Sequence, residues 1–371
     1  MKYTGKRITQ AGNDLQNPLL KENPILFRAT MDVLTYWRYS HESSMNSAEV
    51  LLKEATVKFD KSAFLAKRLK RSNSIIKKLS RFDNMMLKNM QDIGGVRVVV
   101  SSSKKLQKIL KQIQSDKRFY NNENKLRKKD YLKNPKPDGY RGVHLVGKFL
   151  NDEKENRNIE LQLRTQMQHT WATTLEIVDL FTKQNLKTNQ GRMSWQRFFM
   201  LVSNQLAIIE SLPGYGIKNE KDLMREYILY VFKDEKLLRE VAEIKYISKK
   251  LQVPQLLNSF ARSINIMDQS ERLENCPDGY ILVRLNTNTK SIQCDYFKKE
   301  EAEKASEYYT LLESTIQEGS NWIVALVSSN AVDGIKQAYP NYFADSRNFL
   351  TFLGFIHLIK AQYVEREPVV S

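Results

Sequence analysis

Apolar residues recur at helical spacing through Ile25, Leu26, Met31, Leu34 and Trp37, then through Val50, Leu51 and Leu52, so residues 23–56 read as helix. The next stretch, Phe64 to Leu79, is basic and reads as helical or turn-like, ending in Ser-Ile-Ile-Lys-Lys-Leu. The pattern then changes. Gly95-Val-Arg-Val-Val-Val100 is a β-branched run of the kind that fills a buried strand. Ser101 to Ser103 supply N-cap candidates for a helix over Lys104 to Gln114. Residues Asn121 to Gly139 read as a polar loop, punctuated by Pro135, Pro137 and Gly139. Tyr140 to Phe149 and Asn158 to Arg164 alternate as paired strands do, and Gln166 to Phe181 is helical, followed by mostly helical chain to about Ile266.

Beyond Asn275-Cys-Pro-Asp-Gly279 the character shifts again. Tyr280 to Leu285 and Lys290 to Phe297 flank an Asn-Thr-Asn-Thr segment and predict a hairpin. A charged helix (Lys298 to Gln317), an apolar strand (Trp322 to Val327) and a last helix follow. A domain boundary near residue 270 is expected, dividing the chain into 1–270 and 271–371, with no internal repeat and no low-complexity segment.

Composition narrows the class. The 371 residues are 41% hydrophobic and 10% aromatic, enough for a sizeable core and two domains. Two cysteines, Cys276 and Cys294, are too few for a disulfide framework or a four-ligand zinc site. The N-terminus lacks the apolar run of a signal peptide, and the most apolar stretch, Phe349 to Ile359, falls well short of the roughly 20 residues a membrane span needs. A cytoplasmic protein without a membrane partner is expected. The net charge of +17 is concentrated: residues 61–136 hold 22 Lys and Arg against five acids, and the rest of the chain is balanced. Such a field attracts polyanions, either nucleotides or nucleic acid.

Four clusters carry candidate chemistry. In Arg68-x-Lys70-x-x-x-Ser74-x-x-x-Lys78, cations with a hydroxyl between them can clamp a triphosphate. In Gln91-Asp92-Ile-Gly-Gly-Val-Arg97, an acid stands just before a strand, where it can ligate Mg²⁺. Lys129-Asp-Tyr131 and Asn134-Pro-Lys136-Pro-Asp-Gly-Tyr140-Arg-Gly-Val-His144 place cations, a planar ring and a histidine on a Gly/Pro loop, with Tyr140 expected as an exposed stacking platform. In Ile159-Glu160-Leu-Gln162-Leu-Arg164, strand periodicity puts Glu160, Gln162 and Arg164 on one face. Phosphoryl and pyrophosphoryl transfer needs such metal-binding carboxylates and a cationic clamp. No GxxxxGK[ST] is present, so a P-loop enzyme is excluded.

In this order, from Arg68 to Glu176, the clusters resemble the synthetase domain of the RelA/SpoT alarmone enzymes. The resemblance implies an α/β, nucleotidyltransferase-like fold with a central mixed sheet and flanking helices. It implies transfer of pyrophosphate from ATP to a ribose 3′-hydroxyl. Arg68 and Arg97 would sandwich the adenine, while Lys70, Ser74 and Lys78 would hold the ATP phosphates. Asp92 and Glu160 would bind Mg²⁺, with Glu160 polarising the hydroxyl. Tyr140, Lys129, Lys136, His144, Gln162 and Arg164 would serve the acceptor side. None of the four histidines precedes an aspartate, so the His-Asp hydrolase activity of the long RelA/SpoT enzymes is not expected.

The tail resembles that of fused toxic small alarmone synthetases of the CapRel type, in which a small α+β, pseudo-zinc-finger-like antitoxin domain restrains the synthetase. The resemblance implies that Tyr339 and Tyr342, in Tyr-Pro-Asn-Tyr, occlude the ATP site, and that Cys276 and Cys294 belong to a degenerate finger without structural zinc. It further implies tRNA as acceptor, through its 3′-terminal adenosine, and a phage structural (capsid-type) protein as trigger in anti-phage defence. Lys104, Lys105, Lys108, Lys111, Lys117, Arg118, Lys125, Arg127 and Lys128 mostly lie outside the clusters, which favours a long phosphate backbone. The competing acceptor is a free guanosine or adenosine nucleotide. Phe349 to Ile359 is a candidate contact for the trigger or, equally, a buried helix.

Overall fold

In the computed structural model, the described residues are 3–70, 72–82, 84–182, 193–268, 279–286, 289, 291–315, 321–328 and 342–361. Contacts divide the chain into two units: residues 1–134 with 142–166, and 135–141 with 167–371.

The first unit is built on a five-stranded mixed sheet: β1 (Phe64–Leu69), β2 (Gly94–Val100), β3 (Lys128–Asp130), β4 (Val143–Leu150) and β5 (Asn156–Thr165), in the order β1-β2-β5-β4-β3. Only β2 and β5 run parallel; the other neighbours are antiparallel. Among the described residues, five α-helices belong to this unit: α1 (Gly5–Asp14), α2 (Pro24–Tyr39), α3 (Glu42–Val57), α4 (Ser72–Arg81) and α5 (Ser103–Ile113). Helix α5 forms because Leu106, Ile109, Leu110 and Ile113 recur on one face, and Ser102 Oγ accepts the Lys105 N–H at 3.4 Å as its N-cap. That face and the Ala48, Leu52 and Ala55 face of α3 bury Val96, Val98, Leu145, Ile159, Leu161 and Leu163 in one core. A second core joins α1, α2 and α4 through Ile8, Val33, Leu34, Ile75 and Leu79.

Two expectations are corrected here. Phe64 to Leu69 is strand, not helix or turn: it is the edge of the sheet, and its lysine and arginine stay half in solvent, so no apolar pattern marks it. The polar stretch from Asn121 contains β3, held by backbone pairing to β4 and not by apolar side chains.

The second unit holds α6 (Gln166–Thr182, from Met167), α7 (Met193–Ser211), α8 (Glu220–Val231), α9 (Glu235–Lys250) and α10 (Val253–Asp268). It also holds an antiparallel sheet of β6 (Tyr280–Asn286), β7 (Ile292–Phe297) and β8 (Trp322–Ser328), in the order β7-β6-β8. The expected hairpin is the β6–β7 pair. The helix Ala302–Thr315 lies on this sheet through Ala305, Tyr308 and Leu312, beside Leu282 and Phe297.

The last helix, Tyr342–Leu358, packs among the helices of this unit. Phe349 lies against Phe198 and Phe199 of α7, and Lys245 of α9 donates to the Ile359 carbonyl at 2.6 Å. Asp345, 1% exposed, lies 3.4 Å from His169 Nε2 and accepts from the Thr173 hydroxyl at 3.2 Å. Phe349, Leu353, Phe355, Ile356 and Ile359 are all buried, so this apolar segment is core, and only Leu358 of its large side chains is clearly exposed. The contact division therefore does not fall near residue 270, because the tail's last helix shares a core with α7 to α10. Among the described residues no helix is long and apolar enough to cross a membrane.

Candidate active site

Strand register collects the candidate residues of the first unit. Arg68 pairs with Gly95, which pairs with Glu160; Arg97 pairs with Gln162, which pairs with His144, which pairs with Lys129. Directly opposite residues share a sheet face, and these positions alternate with Val96, Val98, Leu161 and Leu163 of the core. One face of the sheet is thus apolar and covered by α3 and α5, and the other carries Arg68, Arg97, Glu160, Gln162, His144, Lys129 and Arg164.

Asp92 stands two residues before β2. The Lys70 N–H donates to the Ile93 carbonyl at 2.7 Å, which brings the end of β1 beside it. Lys70 Nζ and Lys78 Nζ each lie 2.9 Å from Asp92, on different carboxylate oxygens. Burial pushes the Asp92 carboxyl up, but the two lysine charges outweigh it and hold the pKa below the usual range. Ser74 and Lys78 are four apart on α4 and so share one side of that helix, whose N-terminus begins two residues after Lys70.

Glu160 is saturated in a different way. His144 Nδ1 is 2.8 Å from one carboxylate oxygen, and Gln162 Nε2 donates to the other at 2.7 Å. Arg164 donates to Gln162 Oε1 at 3.2 Å, and the Tyr131 ring stands edge-on to His144 with centroids 5.2 Å apart. Burial raises the Glu160 pKa, yet the bond and charge of His144, the Gln162 bond and the Lys70 charge bring it down to about 2. His144, Gln162 and Arg164, expected on the acceptor side, are here engaged in fixing the Glu160 carboxylate. Asp92 stands two residues before β2, and Gly95 of that strand pairs with Glu160, so strand register brings the two acids to the same end of the sheet.

Arg97 is 8% exposed, whereas Arg68 and Lys129 are exposed. Arg38, in the last turn of α2, donates to the Lys70 carbonyl at 2.8 Å and pins the turn that carries Lys70. Sequence reasoning missed it, and an arginine on a helix far upstream gives no signal of that bond.

Tyr140 and Lys136 belong to the second unit. Their loop is a tight turn: the Tyr140 N–H donates to Asp138 Oδ1 at 2.8 Å, and Gly139 takes φ +92°, with Met200 Cα 2.9 Å from where a Cβ would sit. Tyr140 is 9% exposed, and Lys136 Nζ lies 4.7 Å over its ring. The exposed platform expected here is instead a buried ring paired with a lysine, because the loop folds down onto α7 through the Ser203–Gly139 hydrogen bond. Tyr339 and Cys276 lie outside the described residues, as does the side chain of Tyr342. Cys294 lies on β7, its thiol pushed up to about 11 by burial and by Asp295. Among the described residues no group of three or more His, Cys, Asp or Glu is placed to hold a metal.

Residues 67–178 match the family model described as "Region found in RelA / SpoT proteins". This stretch carries the RelA/SpoT region. It includes β2, β4 and β5 and every residue of the Asp92 and Glu160 clusters. The chain is also similar to the GTP pyrophosphokinase YwaC of Bacillus subtilis, 32% identical over 117 residues, which are 29% of this chain and 52% of that protein. The chain thus spans about half the length of the curated relative it matches. Among solved structures, it is similar to the small alarmone synthetase 1 of Bacillus subtilis bound to its product pppGpp, with 20% identity, a TM-score of 0.41, and coverage of 47% of this chain and 93% of that one. A GTP pyrophosphokinase family protein of Streptococcus pneumoniae gives 18% identity and a TM-score of 0.39, covering 52% and 97%.

Proposed function

We propose that the RelA/SpoT region makes this chain an ATP-dependent pyrophosphokinase that transfers pyrophosphate to the 3′-hydroxyl of a purine nucleotide. The observation that carries the reading is the pairing of Lys70 and Lys78 with Asp92 at the entry to β2, the strand whose Gly95 lies in register opposite Glu160. In the reaction the acceptor 3′-oxygen bonds to the β-phosphorus of ATP, the bond from that phosphorus to the α–β bridging oxygen breaks, and AMP leaves. Lys70 and Lys78 exchange Asp92 for phosphate oxygens, since both ligands present anionic oxygen to the same ammonium groups. Arg68 and Arg97 lie one register step apart on the same sheet face, diagonal neighbours about 7–8 Å apart, which is room for one planar ring between two guanidinium groups.

With a pKa of about 2, Glu160 is a weak proton acceptor, so its task is to orient and polarise the hydroxyl while the proton leaves to solvent. His144 and Gln162 hold the carboxylate for that task. Two carboxylates suit Mg²⁺, which binds through one or two of them together with substrate phosphates, and Asp92 and Glu160 are the residues that would hold it. When bound it neutralises phosphate charge.

A second reading is favoured by the exposed cations of the 104–129 stretch, among them Lys104, Lys108, Lys111, Lys125 and Lys129. Here the acceptor is the 3′ end of tRNA, and the chain is a toxin restrained by its own tail, released by a phage structural protein. The buried Asp345–His169–Thr173 contact supports a tail that is integral to the folded chain.

Incubation of the full chain with β,γ-labelled ATP and either GDP, GTP or deacylated tRNA separates these. Label in guanosine nucleotide supports the first reading, and label in tRNA alone overturns it for the second. No transfer to any acceptor overturns the first reading, and the second is overturned if a chain ending before the tail also leaves tRNA unlabelled.

A further inference from the structure

Lys70 is the first residue past β1, so its place depends on what holds its backbone there. Its N–H donates to the Ile93 carbonyl at 2.7 Å, at the entry to β2. Its carbonyl accepts from Nε of Arg38, in the last turn of α2, at 2.8 Å. Both polar backbone groups of one residue are thus taken by partners distant in the chain. That last turn is itself fixed. Val33, Leu34 and Trp37 of α2 are buried in the core that also takes Ile75 and Leu79 of α4, the helix that carries Ser74 and Lys78. Arg157 of β5, 4% exposed, lies 4.6 Å over the Trp37 ring and donates through Nε to Ser40 Oγ at 2.9 Å. A chain of contacts therefore runs from β5, the strand of Glu160, through Arg157, Trp37 and Ser40 to Arg38 and the Lys70 carbonyl.

The setting of Arg38 is not that of an ion-pair residue. It is half-buried, burial pushes its pKa down against a smaller opposing effect of Tyr39, and among the described residues no carboxylate pairs with it. What it makes is a loose contact with the Tyr39 ring, 5.9 Å to the centroid, and one hydrogen bond to a carbonyl. That bond is charge-assisted, a kind about twice as strong as a neutral one. In the transfer reading the Lys70 ammonium leaves Asp92 for phosphate when ATP binds. With its N–H and carbonyl both held, Lys70 makes that exchange by side-chain rotation alone, and its ammonium stays within reach of one fixed point.

We propose that Arg38 is a positioning residue for the donor nucleotide: its bond to the Lys70 carbonyl sets where the Lys70 ammonium meets the ATP phosphates, and it acts on ATP only through Lys70. The role deepens the transfer reading and rests on its ATP clamp. It governs the donor and leaves the acceptor alone, because Arg38 bonds to no residue of the Glu160 cluster.

The test combines transfer kinetics with calorimetric binding of an ATP analogue that carries a methylene bridge between its α- and β-phosphorus, both on the full chain. Arg38→Met should raise KM for ATP and weaken the analogue about tenfold, with KM for the acceptor changed by less than about twofold. Arg38→Lys, which keeps a cationic donor, should recover most of the loss. In a Lys70→Ala background, Arg38→Met should weaken the analogue by less than about twofold, because the residue it acts through is gone. Arg28→Met, which removes an exposed arginine from the same helix, should bind as the wild type does. If Arg38→Met does not fold by circular dichroism, Arg38→Gln runs the same cycle. The proposal is overturned if Arg38→Met binds like the wild type, or if its loss persists undiminished beside Lys70→Ala. It is also overturned if Arg28→Met loses as much, which would make the effect one of net charge, or if the wild type does not bind the analogue. Absence of transfer with intact, Arg38-dependent binding would defeat the pyrophosphokinase reading and leave this one standing. Transfer by Arg38→Met with wild-type KM for ATP would do the reverse.

Discussion

Two sets of ionisable groups in the first unit, one buried and one half-buried, are held by different means. Asp60, 3% exposed, accepts the backbone N–H groups of Ser101 at 2.7 Å and Ser62 at 3.2 Å, with the Ser62 hydroxyl and Lys105 completing its shell. His41, 1% exposed, bonds through Nδ1 to the Trp37 carbonyl at 2.7 Å. Asp92 and Glu160 bond to side chains: Lys70 and Lys78, His144 and Gln162. Backbone N–H and C=O groups are fixed by the fold, so the Ser101 and Ser62 N–H groups on Asp60 and the Trp37 carbonyl on His41 cannot be exchanged. Side-chain donors rotate, so the second set can release its partners to phosphate, metal or hydroxyl. The contrast separates an acid held by backbone from acids held by side chains alone.

Substitutions can break that contrast. Glu160→Gln should lower pyrophosphate transfer by about 10³-fold or more with the fold intact by circular dichroism, since it removes charge where the hydroxyl is polarised. Retention of a tenth of the activity would remove Glu160 from the chemistry. Asp92→Asn should cost about 10²–10³-fold, and the loss should be partly offset by raised Mg²⁺ if the acid serves a metal. A loss that no Mg²⁺ concentration moves would leave Asp92 as an organiser of Lys70 and Lys78 alone.

The pH dependence tests the other set. The His41 pKa is lowered to about 4 from its ordinary 6.5, chiefly by burial, with the Arg157 charge adding to it. The unfolded chain therefore takes up a proton before the folded one does. This stability is fully present above pH 6.5 and is lost as pH falls toward 4, by about 3 kcal/mol. Denaturant midpoints across that range should fall in the wild type and stay flatter in His41→Gln. Glu160 remains ionised throughout, so transfer measured on folded protein should show no acid limb from it between pH 8 and 5. The smallest effect is expected at Asp60→Ala: about 2 kcal/mol of stability, from the orphaned Ser101 and Ser62 donors, with transfer by the folded fraction unchanged. Loss of activity without loss of stability there would erase the distinction.

Much of the site was legible in the chain because strand alternation is local. Glu160, Gln162 and Arg164 share a face by period alone, and the β2, β4 and β5 segments announce themselves by β-branched or alternating residues. The β1 strand was not legible. Its Lys67 and Arg68 face solvent at an edge, and only pairing to β2 makes the segment extended. Tyr140 misled for a related reason: a Gly-Tyr turn reads as surface loop, and the burial comes from α7, some 60 residues later. The role of the tail's Tyr339 and Tyr342 stays with the resemblance that suggested it.

The sequence by itself determined which residue types are present, their spacing within each element, the concentration of positive charge between residues 61 and 136, and the order of motifs that marks the RelA/SpoT region. Partner choice was decided by tertiary structure alone. Lys70 and Asp92 are 22 residues apart, His144 and Glu160 are 16 apart, and the last helix reaches α6 through Asp345 and Thr173, which are 172 apart. Side-chain contacts at such separations depend on strand order and helix packing, which no local period encodes. For that reason the kind of chemistry can be read along the chain, while the arrangement that fixes Glu160 and loads Asp92 with two lysines had to be found in space.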